Sequence, residues 1–176
     1  SGWMQVYCED AQEALDMIIQ AYRIAEDPRV MAPIMVNLDG FLLTHTYEMV
    51  DLPGQEEVDD FLPPYRTGNK MDLDDPKTVC YAAMDEYMEF HMKQELDMRK
   101  APAVVAEVDR AFGDRFGRTY GGMVEAYRCE DAEVVLVTLG TVTGTARVVV
   151  DAMREEGHRV GPAKLRFMRP FPRREI

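Results

Sequence analysis

Apolar and polar positions along the chain fall into two strand–helix–strand patterns separated by an irregular middle. Residues 3–8, WMQVYC, form a short strand-like run. Asp10 then opens a helix, with Glu13 three positions on completing a capping-box-like pair. Ala11, Ala14, Leu15, Ile18, Ile19, Tyr22 and Ala25 recur at the spacing of one helical face, and Asp27-Pro28 ends the pattern. Residues 30–38, VMAPIMVNL, are mostly apolar at consecutive positions, as in a strand covered on both faces. Strand, helix and strand within about 40 residues predict a βαβ unit and a parallel sheet.

The middle is looser. GQEEVDDFL, residues 54–62, predicts a short helix with Val58, Phe61 and Leu62 on one side. Pro63-Pro64 and a polar stretch to residue 80 follow, too long for an idle connection. We expect it to pack on another subunit. Helical sequence resumes near Asp85, and Pro102 fits the first turn of a further helix. That helix carries Val104, Val105, Val108, Ala111, Phe112 and Phe116 on one face and ends at Gly117. Residues 117–131, rich in glycine and polar side chains, mark a boundary. Beyond it, 133–139 predict a buried strand, Gly140 a turn, 141–156 a helix capped by Gly157, and 158–171 a returning strand. The second unit is again βαβ. Each unit is short of strands, since typical sheets have about 5 or 6. The chain also begins at Ser1 rather than Met. A piece of a larger protein is therefore expected.

Composition narrows the classes. An apolar fraction of 47% in 176 residues excludes a disordered chain and supplies a real core. No apolar run approaches the ~20 residues of a membrane span, and no signal-peptide pattern is visible. The net charge of -12 argues against nucleic acid, despite a short basic tail after Lys164. Cys8, Cys80 and Cys129 are far apart and form no C-x-x-C, which argues against an iron–sulfur cluster or structural zinc held by this chain alone. Free thiols point to a reducing cytoplasm.

Candidate chemistry is sparse. Gly140 and Gly144, with Thr141, Thr143 and Thr145, lie at a strand-to-helix turn where backbone N–H groups can face an anion. The G-x-x-x-G spacing matches neither the dinucleotide fingerprint nor a P-loop, so tight-turn geometry is favoured and a nucleotide-binding dehydrogenase is disfavoured. No G-x-S-x-G occurs. His158 follows a cap glycine, and His91 sits near Glu89 and Glu95 without metal-site spacing. Asp39, Thr44 and His45 in NLDGFLLTH follow a strand end, where α/β proteins place chemistry. Two readings stay open for these three. Either Asp39 bonds backbone in the turn and His45 bonds the chain, which the residues favour, or the groups converge on a site.

The order of GWMQVYCEDAQEALDMIIQAYRIAED, PIMVNLDGFLLTH, FLPPY, AEVVLVTLGTVTGTARVVVDAMREEG and VGPAKLRFMRPFP resembles the alpha subunit of 2-oxoacid:ferredoxin oxidoreductases. The likeness is greatest to pyruvate:ferredoxin oxidoreductase (pyruvate synthase). It spans nearly the whole chain; the strand ending in D-G-F before T-H, and the R-P-F-P strand, are its most specific parts. The resemblance implies an α/β chain. Residues 1–116 would be the C-terminal part of a pyrimidine-binding thiamine diphosphate domain plus a helical connector. Residues 117–176 would begin a transketolase C-terminal-like βαβ domain. It further implies oxidative decarboxylation of a 2-oxoacid to acyl-coenzyme A, with electrons passed to ferredoxin. Thiamine diphosphate, magnesium and iron–sulfur clusters would belong to the whole complex, with none bound by this chain alone. The family's cofactor-activating and substrate-binding positions lie before this segment, so Asp39, Thr44 and His45 would line the cofactor wall or a subunit contact. The isolated chain would be inactive, a scaffold among the other subunits. A free-standing binding or regulatory module without thiamine chemistry is the alternative.

Overall fold

A computed structural model describes residues 2–67, 71–76 and 84–176. Cys80 and part of the polar stretch 63–80 lie outside the described residues, and so does part of the expected subunit contact there.

The first unit forms as its pattern predicts. Strand β1 (Met4–Tyr7) leads through helix α1 (Ala11–Ala25) to strand β2 (Ile34–Asn37), which pairs parallel with β1. Met4 and Val6 alternate inward and are fully buried. The apolar run 30–38 yields only four strand residues. Two helices follow β2: a single turn, α2 (Leu42–His45), and α3 (Gln55–Phe61). A 3-10 turn at Met84–Glu86 leads into α4 (Tyr87–Met98) and then α5 (Ala101–Phe116). Pro102 sits in the first turn of α5, where its missing N–H costs no helical bond. Gly117, at φ +73°, ends α5 with its N–H on the Gly113 carbonyl, a left-handed cap that favours glycine.

The second unit contains β3 (Val124–Ala126), β4 (Val134–Thr138), α6 (Val142–Glu155) and β5 (Val160–Leu165). The β4–β5 pair is parallel, as a βαβ unit requires. Strand β3 was not anticipated; it lies inside the boundary segment and pairs antiparallel with β5. The expected returning strand 158–171 is also two strands. After β5 the chain passes through Arg166 and enters β6 (Phe167–Arg169), which pairs antiparallel with β1. Among the described residues there are thus two three-stranded sheets, ordered β2-β1-β6 and β3-β5-β4, joined by one residue.

The core lies between β1, β6, α1 and α5. Phe112 is fully buried and meets Phe61 edge-on at 5.4 Å and Phe116 at 4.4 Å between ring centres. Phe61 of α3 also lies under the Arg23 guanidinium. The apolar side of α3 and the apolar face of α5 therefore meet as their periodicity requires.

Two burial expectations fail. Helix α1 does not bury its most apolar stripe: Ile18 is 49% and Tyr22 59% exposed. It turns inward a neighbouring face that includes Glu13, Asp16, Met17, Gln20 and Ile24. Charged partners from the rest of the chain meet Glu13 and Asp16, as described below, while the Gln20 amide nitrogen has no hydrogen-bond partner among the described residues. Strand β4, an expected buried strand, is exposed from Val134 to Val137, because it lies at the edge of its sheet and α6 packs chiefly over β5.

Candidate functional site

The polar face of α1 is the electrostatic centre of the molecule. Glu13 is fully buried; its Oε2 accepts a hydrogen bond from Lys164 Nζ at 2.6 Å and from the Glu9 backbone N–H at 2.8 Å. Its Oε1 accepts from Arg166 Nε at 2.8 Å. Lys164 also pairs with Glu9 at 2.9 Å, and Arg147 of α6 bridges Glu9 at 2.8 Å and Glu125 of β3 at 3.0 Å. Arg166 donates to the Gly122 carbonyl at 2.6 Å and lies over the Tyr120 ring. One helical carboxylate thus grips both sides of the inter-sheet crossover.

Burial pushes the Glu13 carboxyl up, but Arg166 and Lys164 beside it reverse that and hold it below the usual carboxylate range. Lys164 is the mirror case: burial pushes it down, and Glu13 and Glu9 carry it above its ordinary value. Next to this network the Cys8 thiol is pushed up to about 12 by burial and by the Glu13 charge, so it stays protonated and unreactive.

One turn further along α1, the fully buried Asp16 takes Arg118 through two bonds, at 2.6 and 3.0 Å, and the Tyr120 hydroxyl at 2.6 Å. Arg118 continues to Asp51 at 2.8 Å. The amide of Gln12 brackets the Asp51 backbone, donating to its carbonyl and accepting from its N–H. Asp109 of α5 accepts from the N–H groups of Tyr120 and Gly122 and so shapes the glycine turn before β3. Glu13, Asp16 and Asp109 are each committed to internal partners. None is free to act as an acid or base, or to meet an aminopyrimidine ring. These three carboxylates therefore serve the fold, and no group of three or more His, Cys, Asp or Glu side chains among the described residues is arranged to hold a metal ion.

The three sequence candidates separate. Asp39 reaches from the end of β2 to the head of α6, where its Oδ2 accepts from the Thr141 N–H at 3.0 Å and from the Thr141 hydroxyl. It caps α6 from the first unit. Gly140 makes room for this: its φ is +68°, and a Cβ there would lie 3.1 Å from Asp39 Oδ1. The glycine turn is thus a docking point for a carboxylate, in keeping with the tight-turn reading. Replacing Asp39 with Ala is expected to lower stability by about 1 kcal/mol, the ordinary worth of a helix cap. Urea unfolding would measure it, and an unchanged midpoint would show that the clasp contributes nothing.

Thr44 and His45 stay together on the exposed α2 turn. The Thr44 hydroxyl accepts from the Phe41 N–H at 3.0 Å and shares a hydrogen bond with His45 Nδ1 at 2.8 Å. The His45 ring stacks on Phe41 at 4.9 Å. Phe41 is 77% exposed and holds φ +69°, a conformation that costs a non-glycine residue roughly 1–3 kcal/mol. His91 stacks edge-on against Tyr87 at 4.4 Å, and His158 lies 3.8 Å from Glu156.

Sequence reasoning named Glu13 only as a capping partner and missed its pairing with Lys164 and Arg166, along with the Asp16–Arg118 pair. The one signal available was the i, i+3, i+7 spacing of Glu13, Asp16 and Gln20, a polar stripe within an otherwise apolar helix.

Comparison with known proteins places this architecture. Residues 1–153 match the family model described as pyruvate flavodoxin/ferredoxin oxidoreductase, thiamine diphosphate-binding. Residues 132–176 match pyruvate:ferredoxin oxidoreductase core domain II. The pyruvate synthase subunit PorA of Methanothermobacter thermautotrophicus is 48% identical over the whole chain, which covers 46% of that subunit. The ketoisovalerate oxidoreductase subunit VorA of Pyrococcus horikoshii is 40% identical, with 45% of its length covered. The chain thus spans less than half the length of these relatives. A 2-oxoglutarate:ferredoxin oxidoreductase structure from Magnetococcus marinus, solved with 2-oxoglutarate, coenzyme A and succinyl-CoA bound, shares the fold. Its TM-score is 0.60 at 16% identity, covering 97% of this chain and 32% of that one. The chain belongs to the pyruvate flavodoxin/ferredoxin oxidoreductase family, in its thiamine diphosphate-binding part.

Proposed function

We propose that this chain is part of the alpha subunit of a cytoplasmic 2-oxoacid:ferredoxin oxidoreductase that converts pyruvate to acetyl-coenzyme A. The observation that carries the reading is 48% identity to a pyruvate synthase subunit along the full chain. Thiamine diphosphate, magnesium and iron–sulfur clusters work in the whole complex, with coenzyme A and ferredoxin as co-substrates there. Residues 1–116 serve as the later part of the pyrimidine-side domain with its helical connector. Residues 117–176 begin the transketolase C-terminal-like domain.

Within that assembly this segment is scaffold and interface. Saturation of its buried carboxylates supports the scaffold role. The stacked, strained and exposed Phe41–His45 turn supports a contact role, because such geometry is kept where surrounding structure uses it. Asp39 shapes that strand end from behind, while Thr44 and His45 face a neighbouring subunit or the wall of the cofactor cleft. The stretch 63–80 contributes to the same subunit packing.

The test is a panel of 2-oxoacids on the complete multi-subunit complex, read as coenzyme A-dependent ferredoxin reduction. Pyruvate is expected to give the highest kcat/KM, ahead of 2-oxoisovalerate and 2-oxoglutarate. Preference for a branched-chain acid would move the assignment within the family. No turnover of any 2-oxoacid would remove the enzymatic reading.

A further inference from the structure

The basic tail meets α4 in a cleft that the scaffold role leaves unexplained. The cleft encloses about 460 Å³ between Glu95 and Met98 of α4, Arg99 just past its end, and Arg169, Pro170, Phe171 and Arg173 of the C-terminal segment. Bonds from Arg173 N–H to the Phe171 carbonyl and from Glu175 N–H to the Pro172 carbonyl fold the segment into a turn that brings Arg173 to the cleft. Three arginines therefore line one space in a chain whose net charge is -12.

A single carboxylate opposes them. Glu95 meets Arg99 at 3.4 Å through one oxygen and Arg169 at 3.3 Å through the other. Both distances exceed the 2.7–2.9 Å of a well-made charge-assisted bond. Among the described residues, Arg173 has no ion-pair partner and the buried Nε of Arg169 has no hydrogen-bond acceptor. A buried donor left unmade is costly. Guanidinium groups present donors in a planar fork suited to tetrahedral oxyanions. Met98, Pro170 and Phe171 give the same cleft an apolar side.

We infer that the cleft between α4 and the C-terminal turn binds a phosphate group, either free or carried on an organic ester, through Arg169 and Arg173, with Arg99 supporting from the end of the helix. Titrating the full 176-residue chain with inorganic phosphate, at ionic strength held constant with chloride, tests this by calorimetry and by the NMR signal of the arginine Nε–H groups. The expected result is saturable binding that perturbs one Nε–H resonance, assigned to Arg169 by its loss in Arg169→Gln. Arg169→Gln and the exposed Arg173→Gln should each weaken binding at least tenfold, while Arg128→Gln, outside the cleft, should leave it unchanged. A parallel titration with AMP separates the sources: tighter binding than inorganic phosphate identifies an ester that uses the apolar side, and equal binding identifies free phosphate. Phosphate acting no differently from chloride would overturn the inference, as would Arg173→Gln binding at full strength with its circular dichroism unchanged.

Discussion

Replacing Glu13 with Gln is expected to destabilise the chain by about 3–5 kcal/mol, the cost of leaving buried charges without their partner. The substitution keeps the shape of the side chain and removes the charge that holds Lys164 and Arg166, both buried. Those cations would keep only Glu9 and Glu125 on one side and the more distant Asp109 on the other. Urea unfolding of the two proteins measures the difference. A cost below about 1 kcal/mol would place the group among solvent-screened pairs instead. A companion variant, Glu13→Gln with Lys164→Met, should recover part of the loss, since it removes one stranded charge as well.

The same carboxylate sets the acid limb of stability. Its folded-state pKa lies below the ordinary value. Its contribution is therefore complete above the unfolded pKa of about 4.3 and disappears as pH falls through the folded value. Lys164 works in the opposite direction. Its raised pKa supplies stability that is whole below the unfolded value of about 10.4 and is lost as pH climbs through the folded one. Wild-type stability should be level from about pH 5 to about pH 8 and then decline, because the Cys8 thiol ionises more readily in the unfolded chain than in the folded one, and Glu13→Gln should flatten the acid side.

Phe112→Ala is expected to cost a comparable 3–5 kcal/mol for a different reason. Truncating a fully buried ring removes apolar contact and leaves a cavity that the neighbours fill only in part. Phe61 and Phe116 lose their shared partner, so the α3 helix should loosen first. Lower protection of the α3 amides in hydrogen exchange, alongside the lower unfolding midpoint, would separate this cavity effect from the charge effect at Glu13. An Ala variant within 1 kcal/mol of wild type would mean that α3 and α5 close the gap on their own.

How much was legible depended on whether the signal was local. Alternation and helical spacing marked β1, α1, α5, β4 and α6. Pro102 and Gly117 bounded α5 because each acts through its own backbone conformation. Strand β3 escaped notice because three residues, Val124, Glu125 and Ala126, are too few for a period. The crossover at Arg166 was hidden for a stronger reason. Val160 to Arg169 has the composition of one strand, and only the position of β1 decides where the chain changes sheets. Burial of Glu13 and Asp16 was hidden likewise, because a helix cannot announce that distant cations will meet its polar side. The candidate site was half legible. Asp39 was marked as significant, but its partner lies about a hundred positions away, at the head of another helix.

The pairing of Gln5 with Arg169 also governs how the molecule is made. Synthesis proceeds from the N-terminus, so β1 and β2 leave the ribosome long before the strand that flanks β1 on its other side. Until Phe167–Arg169 emerge, one edge of β1 carries unsatisfied N–H and C=O groups, a template for joining another chain. Closing so distant a contact is slow compared with local helix formation. The nascent chain therefore passes through an interval of aggregation risk that ends only when Phe167–Arg169 reach β1.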